Sequence, residues 1–138
     1  MADPLAPVWG PLTGTRVHVR PATAADLPAL VALLDADPAH LLVVAADGDD
    51  VVGTLQLSFI PGLSRGGALR AQIEGVRVRG DRRNAGLGRE LLRWAIESSR
   101  RRGCGLVQLT TDRSRADASR FHETLGFVSS HVGYKLAL

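Results

Sequence analysis

Apolar positions alternate in some stretches and recur at helical spacing in others, so strands and helices interleave along the chain. Arg16 to Arg20 (R-V-H-V-R) alternates and predicts a first strand. Pro21, with Thr23 as N-cap, opens a helix over about Ala24 to Asp35, with Leu27, Leu30, Val31 and Leu34 on one face. Pro38 ends that segment, and Leu41 to Ala46 reads as a strand of the buried type. Asp47-Gly48-Asp49-Asp50 carries hairpin turn chemistry, and Val51 to Ile60 is the return strand. Pro61 to Gly67 reads as a loop and Leu69 to Arg79 as a further strand. From Gly86 to Arg102 the period lengthens, with Leu87, Leu91, Leu92, Ala95 and Ile96 marking an amphipathic helix that Gly103 and Gly105 end. Leu106 to Thr111 predicts a strand, Ala116 to Leu125 a helix closed by Gly126, and Phe127 onward a pair of short strands.

Hairpin-linked strands are antiparallel, whereas the strand–helix–strand unit from Leu69 to Thr111 demands a parallel crossover. The fold class is therefore a mixed α/β sheet. The 138 residues fit one domain, over 15–138, behind an irregular extension at 1–14 with three prolines and two glycines. No apolar run approaches the roughly 18 residues that span a membrane. Asp3 stands where a secretory signal would be basic, so a cytoplasmic protein without membrane contact is expected. The lone Cys104 cannot make an internal disulfide and reads as a packing thiol. No metal is expected.

Charge narrows the candidates. The formal net charge is +3, and Arg77, Arg79, Arg82, Arg83 and Arg89 crowd around one glycine pair. No aromatic residue is interleaved among them, whereas stacking sites for single-stranded nucleic acid need such rings. A compact anion fits better, and no nucleic-acid partner is expected. In Val76 to Leu92 a strand runs into a glycine turn that opens a helix. The first N–H groups of a helix have no partner within it, and its dipole favours negative charge. Gly86 and Gly88 carry no side chains to keep phosphate oxygens from those amides. Gly88-Arg89-Glu90 rules out a P-loop, and Leu91 occupies the third glycine position of the dinucleotide fingerprint. Asp112, near the end of the following strand, keeps a nicotinamide nucleotide open, as does a glycine turn serving packing alone.

Arg83-Asn84-Ala85-Gly86-Leu87-Gly88 resembles the Arg/Gln-x-x-Gly-x-Gly/Ala signature of the GNAT superfamily of N-acetyltransferases. Ile73 to Val78 resembles the preceding strand of that family, and Leu109-Thr110-Thr111 the following one. Ala118-x-x-Phe121-His122-Glu123-x-x-Gly126-Phe127 resembles its closing helix, so the likeness covers about Val17 to Leu138. The resemblance implies a GNAT-like mixed central sheet flanked by helices, with acetyl-CoA as donor and CoA as product. It implies a cofactor seat at Arg83, Asn84, Ala85, Gly86, Leu87, Gly88 and Arg89, with the pantetheine arm on the backbone of Val76 and Val78. Arg77 falls in the same stretch and is counted with the seat, although its side chain faces away from Val76 and Val78. Gly75 suits a bulge that would splay this strand from the next. Two positions depart from the family: Asn84 replaces a usual glycine, and Arg115 replaces an asparagine that contacts the cofactor arm.

An aliphatic ammonium, with a pKa near about 10, must lose a proton before it attacks a thioester. Period-two alternation puts Gln72, Glu74, Val76 and Val78 on one face. The resemblance makes Glu74 the base and the Val76 N–H the oxyanion donor. It puts His122 where many members carry a tyrosine that protonates the thiolate, with Tyr134 and solvent as the other candidates. Family members usually run two helices between their first and second strands, and this chain has room for one. An open acceptor site is expected, or one completed by Pro61 to Gly67, the N-terminal extension or a second subunit. Asp117 to Phe121 and Ser130-His131 resemble the C-terminal part of aminoalkylphosphonate acetyltransferases, which suggests a small amine acceptor. The reading is acetyl transfer to a primary amine of a small molecule or peptide by direct attack; a homodimer is a family-level expectation. The alternative is a non-catalytic acyl-CoA-binding or sensing module.

Overall fold

Hydrophobic periodicity decides most elements of the computed structural model, which describes residues 10–11, 18–19, 24–112 and 114–138. A small antiparallel ladder joins β1 (Gly10–Pro11) to β2 (His18–Val19). Two residues of the expected irregular extension thus enter a ladder, and the rest of 1–14 lies outside the described residues. The first helix begins as a 3-10 turn at Ala24–Asp26 and continues as α1 (Leu27–Ala36). Only residues 37–39 separate it from β3 (His40–Asp47), so the second helix of the usual arrangement has no room. The predicted apolar face of α1 is largely exposed at Leu27, Leu30 and Val31.

β3 and β4 (Asp50–Ile60) form the hairpin expected around Gly48. Pro61 to Gly67, expected as a plain loop, contains the short turn α2 (Ser64–Gly67), where Arg65 and Gly66 are both left-handed. β5 (Arg70–Val78) pairs antiparallel with β4. The crossover through α3 (Leu87–Arg101) then brings β6 (Leu106–Leu109) parallel to β5. The sheet order is β3-β4-β5-β6, a mixed sheet as expected. α3 stops where the Cys104 N–H reaches back to the Ser99 carbonyl across Gly103. Helix α4 (Ala116–Glu123) stops the same way, the Phe127 N–H bonding the His122 carbonyl.

One sheet face is the core. Leu55, Leu57 and Phe59 of β4 and Ala71 and Ile73 of β5 pack against Leu92 and Ala95 of α3. Phe121 and Leu125 close the cluster from α4 and the residues after it. These side chains are at the spacing that puts one strand face and one helix stripe together. Cys104 is half-buried against the same cluster, and burial raises its thiol pKa, as suits a packing role.

The terminal strands expected from Phe127 onward do not form. Val132, Tyr134, Leu136 and Leu138 alternate as a strand would, yet all four side chains are exposed. Alternation supplies one face for a strand, but a strand is held by cross-strand partners, and this segment has none among the described residues. Also among the described residues, no helix is long and apolar enough to cross a membrane.

Candidate functional site

The site begins with an irregularity in β5. Thr54 pairs with Arg77 and Gln56 with Glu74, so Gly75 and Val76 together oppose the single residue Leu55. That is a β-bulge, and Gly75 at φ 60° is the residue that makes it, since the left-handed region suits glycine. The bulge resets the alternation. Before it, Ala71 and Ile73 face the core; after it, Val76 packs on the same core cluster. Val78 also turns to that side, its Cγ2 close to the start of α3 at Gly88. Glu74, paired with Gln56, is exposed on the opposite face. The expectation that Gln72, Glu74, Val76 and Val78 share one face is therefore corrected: Gln72 and Glu74 face one way, Val76 and Val78 the other. Simple period-two counting fails because the extra residue advances the phase by one.

The bulge also coincides with a parting of strands. β5 and β6 pair from Arg70–Leu106 to Ile73–Leu109, and the ladder ends there, one residue before Glu74. From Glu74 to Val78 the β5 backbone has no β6 partner. The opening leads to the first turn of α3. Gly86, at φ 87°, caps this helix without a side-chain hydrogen bond. The first backbone bond into the helix runs from the Glu90 N–H to the Gly86 carbonyl. The N–H groups of Leu87, Gly88 and Arg89 therefore have no acceptor among the described residues. A Cβ built on Gly86 would meet nothing within 4 Å, so the space before these amides is open. Three free amides at the positive end of a 15-residue helix suit a diphosphate. The acetyl-CoA that the resemblance implies fits this mouth.

The arginine crowd divides by partner. Arg79 binds Asp81 through Nε at 2.7 Å and lies 3.9 Å from Asp50, while Arg82 binds Asp47 at 2.5 Å. Both tie the segment after β5 to the β3–β4 turn. Arg83 instead donates from Nε to the Val78 carbonyl at 3.2 Å, at the end of the unpaired stretch. Arg89 donates to Thr124 Oγ1 at 2.9 Å and lies over the Phe121 ring, tying α3 to α4. Arg77 is exposed on the Glu74 face. Asn84 adopts the left-handed backbone, at φ 61°, so it does what the usual glycine would do. Ala85 follows it, exposed, in the same turn.

On α4, His122 packs between Phe121 and Phe127, with ring centroids 5.5 and 6.0 Å away. Its Nδ1 is buried without a hydrogen-bond partner among the described residues. Burial, and next the charge of Arg115, lower its pKa below the usual histidine value, so the ring is neutral at pH 7. Tyr134 is exposed on the unpaired C-terminal segment. The Asp112 carboxylate is occupied by the Ser114 N–H and hydroxyl at 2.8 and 2.7 Å, which hold its pKa low. That local turn leaves little for a ribose to bind and weakens the nicotinamide reading. A hollow of about 450 Å³ between α3 and the end of α4 is lined by Arg93, Glu97, Arg100 and Thr124 among others. Glu97 there already pairs with Arg100, so it offers no reactive group.

Sequence reasoning missed a polar row on the Glu74 face. His40, Ser58, Gln72 and Gln108 are consecutive register partners across all four strands of the sheet. His40 Nδ1 lies 2.9 Å from Ser58 Oγ, and Gln108 Nε2 donates to Gln72 Oε1 at 2.6 Å. The available signal was polar residues at alternate positions of otherwise apolar strands.

Comparison with known proteins agrees with this geometry. The model of the acetyltransferase (GNAT) family matches residues 14–127. An aminoalkylphosphonate N-acetyltransferase of Salmonella typhimurium is 40% identical over 52 residues, which span 38% of this chain and 34% of that relative's length. A Bacillus halodurans crystal structure of a transcriptional regulator superposes with a TM-score of 0.78 at 44% identity, over 83% of this chain and 76% of that one. A protein of Agrobacterium tumefaciens, assigned as an acetyltransferase, gives 0.77 at 32% identity over 84% and 81%. With its signature turn at the mouth of α3 and a bulged strand leading into it, the chain belongs to the GNAT family of acetyltransferases.

Proposed function

We propose that this chain transfers an acetyl group from acetyl-CoA to a primary amine of a small molecule. The observation that carries the reading is the Gly75 bulge at the point where β5 and β6 part, between Glu74 and the open mouth of α3. The amides of Leu87, Gly88 and Arg89 hold the diphosphate, with Arg83 and Arg89 at the rim. The donor supplies an acyl carbon activated by its thioester. Val76 and Val78 offer backbone to the arm, and the Val76 N–H receives the developing charge on oxygen. Glu74 takes one proton from the ammonium; the amine nitrogen then bonds to the acyl carbon, the carbon–sulfur bond breaks, and the second proton on nitrogen passes to the departing thiolate. His122 is the protein partner of the departing sulfur, its buried Nδ1 being the atom in want of a hydrogen bond. Since burial and the charge of Arg115 disfavour its imidazolium, it serves by relaying that second nitrogen proton to the sulfur.

The acceptor class rests on the face that Glu74 occupies and on the aminoalkylphosphonate named for the Salmonella relative. The test is thiol release from acetyl-CoA across a panel of amines. Glu74→Gln should lower kcat by about 10²–10⁴-fold while leaving CoA binding intact. A Glu74→Gln protein as active as the parent sinks this role. A second reading, an acyl-CoA-responsive module without turnover, is favoured by the 44% identity to a protein described as a transcriptional regulator. CoA binding without thiol release from any amine, unchanged in Glu74→Gln, selects that second reading.

A further inference from the structure

The far end of the Glu74 face holds a second concentration of positive charge. A hollow of about 80 Å³ opens between α2 and the starts of β5 and β6, lined by Gly62, Ser64, Arg65, Arg70, Leu106 and Gln108 among others. Two arginines and no acidic residue line it. Neither guanidinium has a carboxylate partner among the described residues, whereas Arg79, Arg82, Arg93, Arg100, Arg101 and Arg120 all have one. The Nε of Arg70 is buried and has no acceptor among the described residues. A buried donor left unmet is costly, and two like charges sharing a small hollow repel each other. Arg65, moreover, is held at φ 55°, a backbone state that a long L side chain rarely adopts. An anion in the hollow would answer both the unmet donor and the unbalanced charge.

This hollow and Glu74 lie on one face of one strand. Arg70, Gln72 and Glu74 alternate along β5 before the bulge, and Gln108, bonded to Gln72, lines the hollow. Four residues of extended strand put Arg70 roughly 13 Å from Glu74. Between them the polar row of Ser58, Gln72 and Gln108 offers donors and acceptors instead of apolar cover. We propose that Arg70 and Arg65 form an anion seat of the acceptor site, so that the preferred amine carries a phosphate, phosphonate or carboxylate about 13 Å from its nitrogen. The proposal rests on the acetyl-transfer reading, with Glu74 receiving the amine end.

The experiment compares straight-chain ω-aminoalkylphosphonates and ω-aminocarboxylates of increasing length with uncharged alkylamines of matching length. The long anionic amines should exceed their uncharged counterparts in kcat/KM by about tenfold or more, chiefly through KM. The short aminoalkylphosphonates should show no such advantage. Arg70→Met and Arg65→Met should each bring the ratio toward one, and Arg70→Lys should restore part of it. Arg65 is exposed on α2, so its variant tests the seat even where Arg70→Met folds poorly. A ratio of one in the parent protein, or a ratio untouched in both methionine variants, overturns the proposal. Absence of turnover with every amine would count against the acetyl-transfer reading instead. The seat is then tested by titrating inorganic phosphate and following the Arg70 Nε–Hε signal by NMR. A saturable shift lost in Arg65→Met supports the seat, and no shift sinks it.

Discussion

Glu74 and Val76 stand two residues apart on β5 and face opposite sides of the sheet. Gly75 between them makes this possible, and a Cβ there would touch nothing within 4 Å. The cost of a side chain at this position is therefore conformational and not steric. Gly75→Ala should lose roughly 1–2 kcal/mol, the penalty for left-handed backbone in an L residue. Activity should fall further than stability explains, because relaxing the bulge turns Glu74 or Val76 toward the wrong face. Thermal unfolding and kcat/KM on the same samples check this. A variant with parental Tm and parental rate would mean that the bulge serves neither fold nor function.

The cradle at α3 allows stability and binding to be separated. A methyl on Gly88 would sit 3.8 Å from Val78 Cγ2, an ordinary contact, in a helix that alanine suits better than glycine. Gly88→Ala should thus keep or raise stability, by up to about 1 kcal/mol. On the proposed function, the same methyl would stand in the turn whose amides take the diphosphate. Loss of one such charge-assisted bond, at about 1.5–3 kcal/mol, weakens CoA about 10–100-fold. Calorimetry with CoA beside a melting curve reads both quantities, and unchanged affinity would move the diphosphate away from this turn.

Most of the fold was legible because amphipathic period and turn chemistry act locally. Leu91, Leu92 and Ala95 mark the buried stripe of α3, and Asp47 to Asp50 marks the hairpin, before any contact is known. What escaped was set by partners distant in sequence. Gly75 announced a bulge, but its effect on the facing of Glu74 appears only when Gln56 and Thr54 are seen opposite. Arg82 read as part of a phosphate-binding crowd because Asp47, 35 residues earlier, gives no sequence signal of being its partner. The alternation from Val132 to Leu138 promised a strand, yet no edge among the described residues pairs with it. At the site, the helix mouth could be read from glycine spacing, whereas the Arg65–Arg70 hollow needed the chain to close upon itself.

The division of the arginines has a measurable consequence. Arg79 and Arg82 spend their charge on Asp81, Asp50 and Asp47, whereas Arg83, among the described residues, reaches a backbone carbonyl and no carboxylate. Arg83→Ala should therefore weaken CoA by about tenfold, as loss of a charge-assisted phosphate contact does. Arg82→Ala should change it by no more than about twofold, since its pair is exposed and engaged elsewhere. High salt should narrow the difference between the two variants. Equal losses from both would show the arginines acting as one diffuse field.

His122 gives the protein a pH dependence whose direction follows from its surroundings. Burial first, and Arg115 second, disfavour the imidazolium in the folded chain, so the folded pKa lies below the unfolded value of about 6.5. Above that value both states are neutral and the group costs nothing. As pH falls from about 6.5 toward the lower folded pKa, the unfolded chain binds a proton that the folded chain resists. Stability must therefore drop across that window, and below the folded pKa it drops no further on this account. His122→Phe should flatten this part of the Tm profile, and Arg115→Gln should raise the histidine pKa toward its usual value. An NMR titration of the His122 ring proton measures the pKa directly. A value at or above about 6.5 would overturn the assignment of a neutral ring and make the imidazolium a ready proton donor to the departing thiolate.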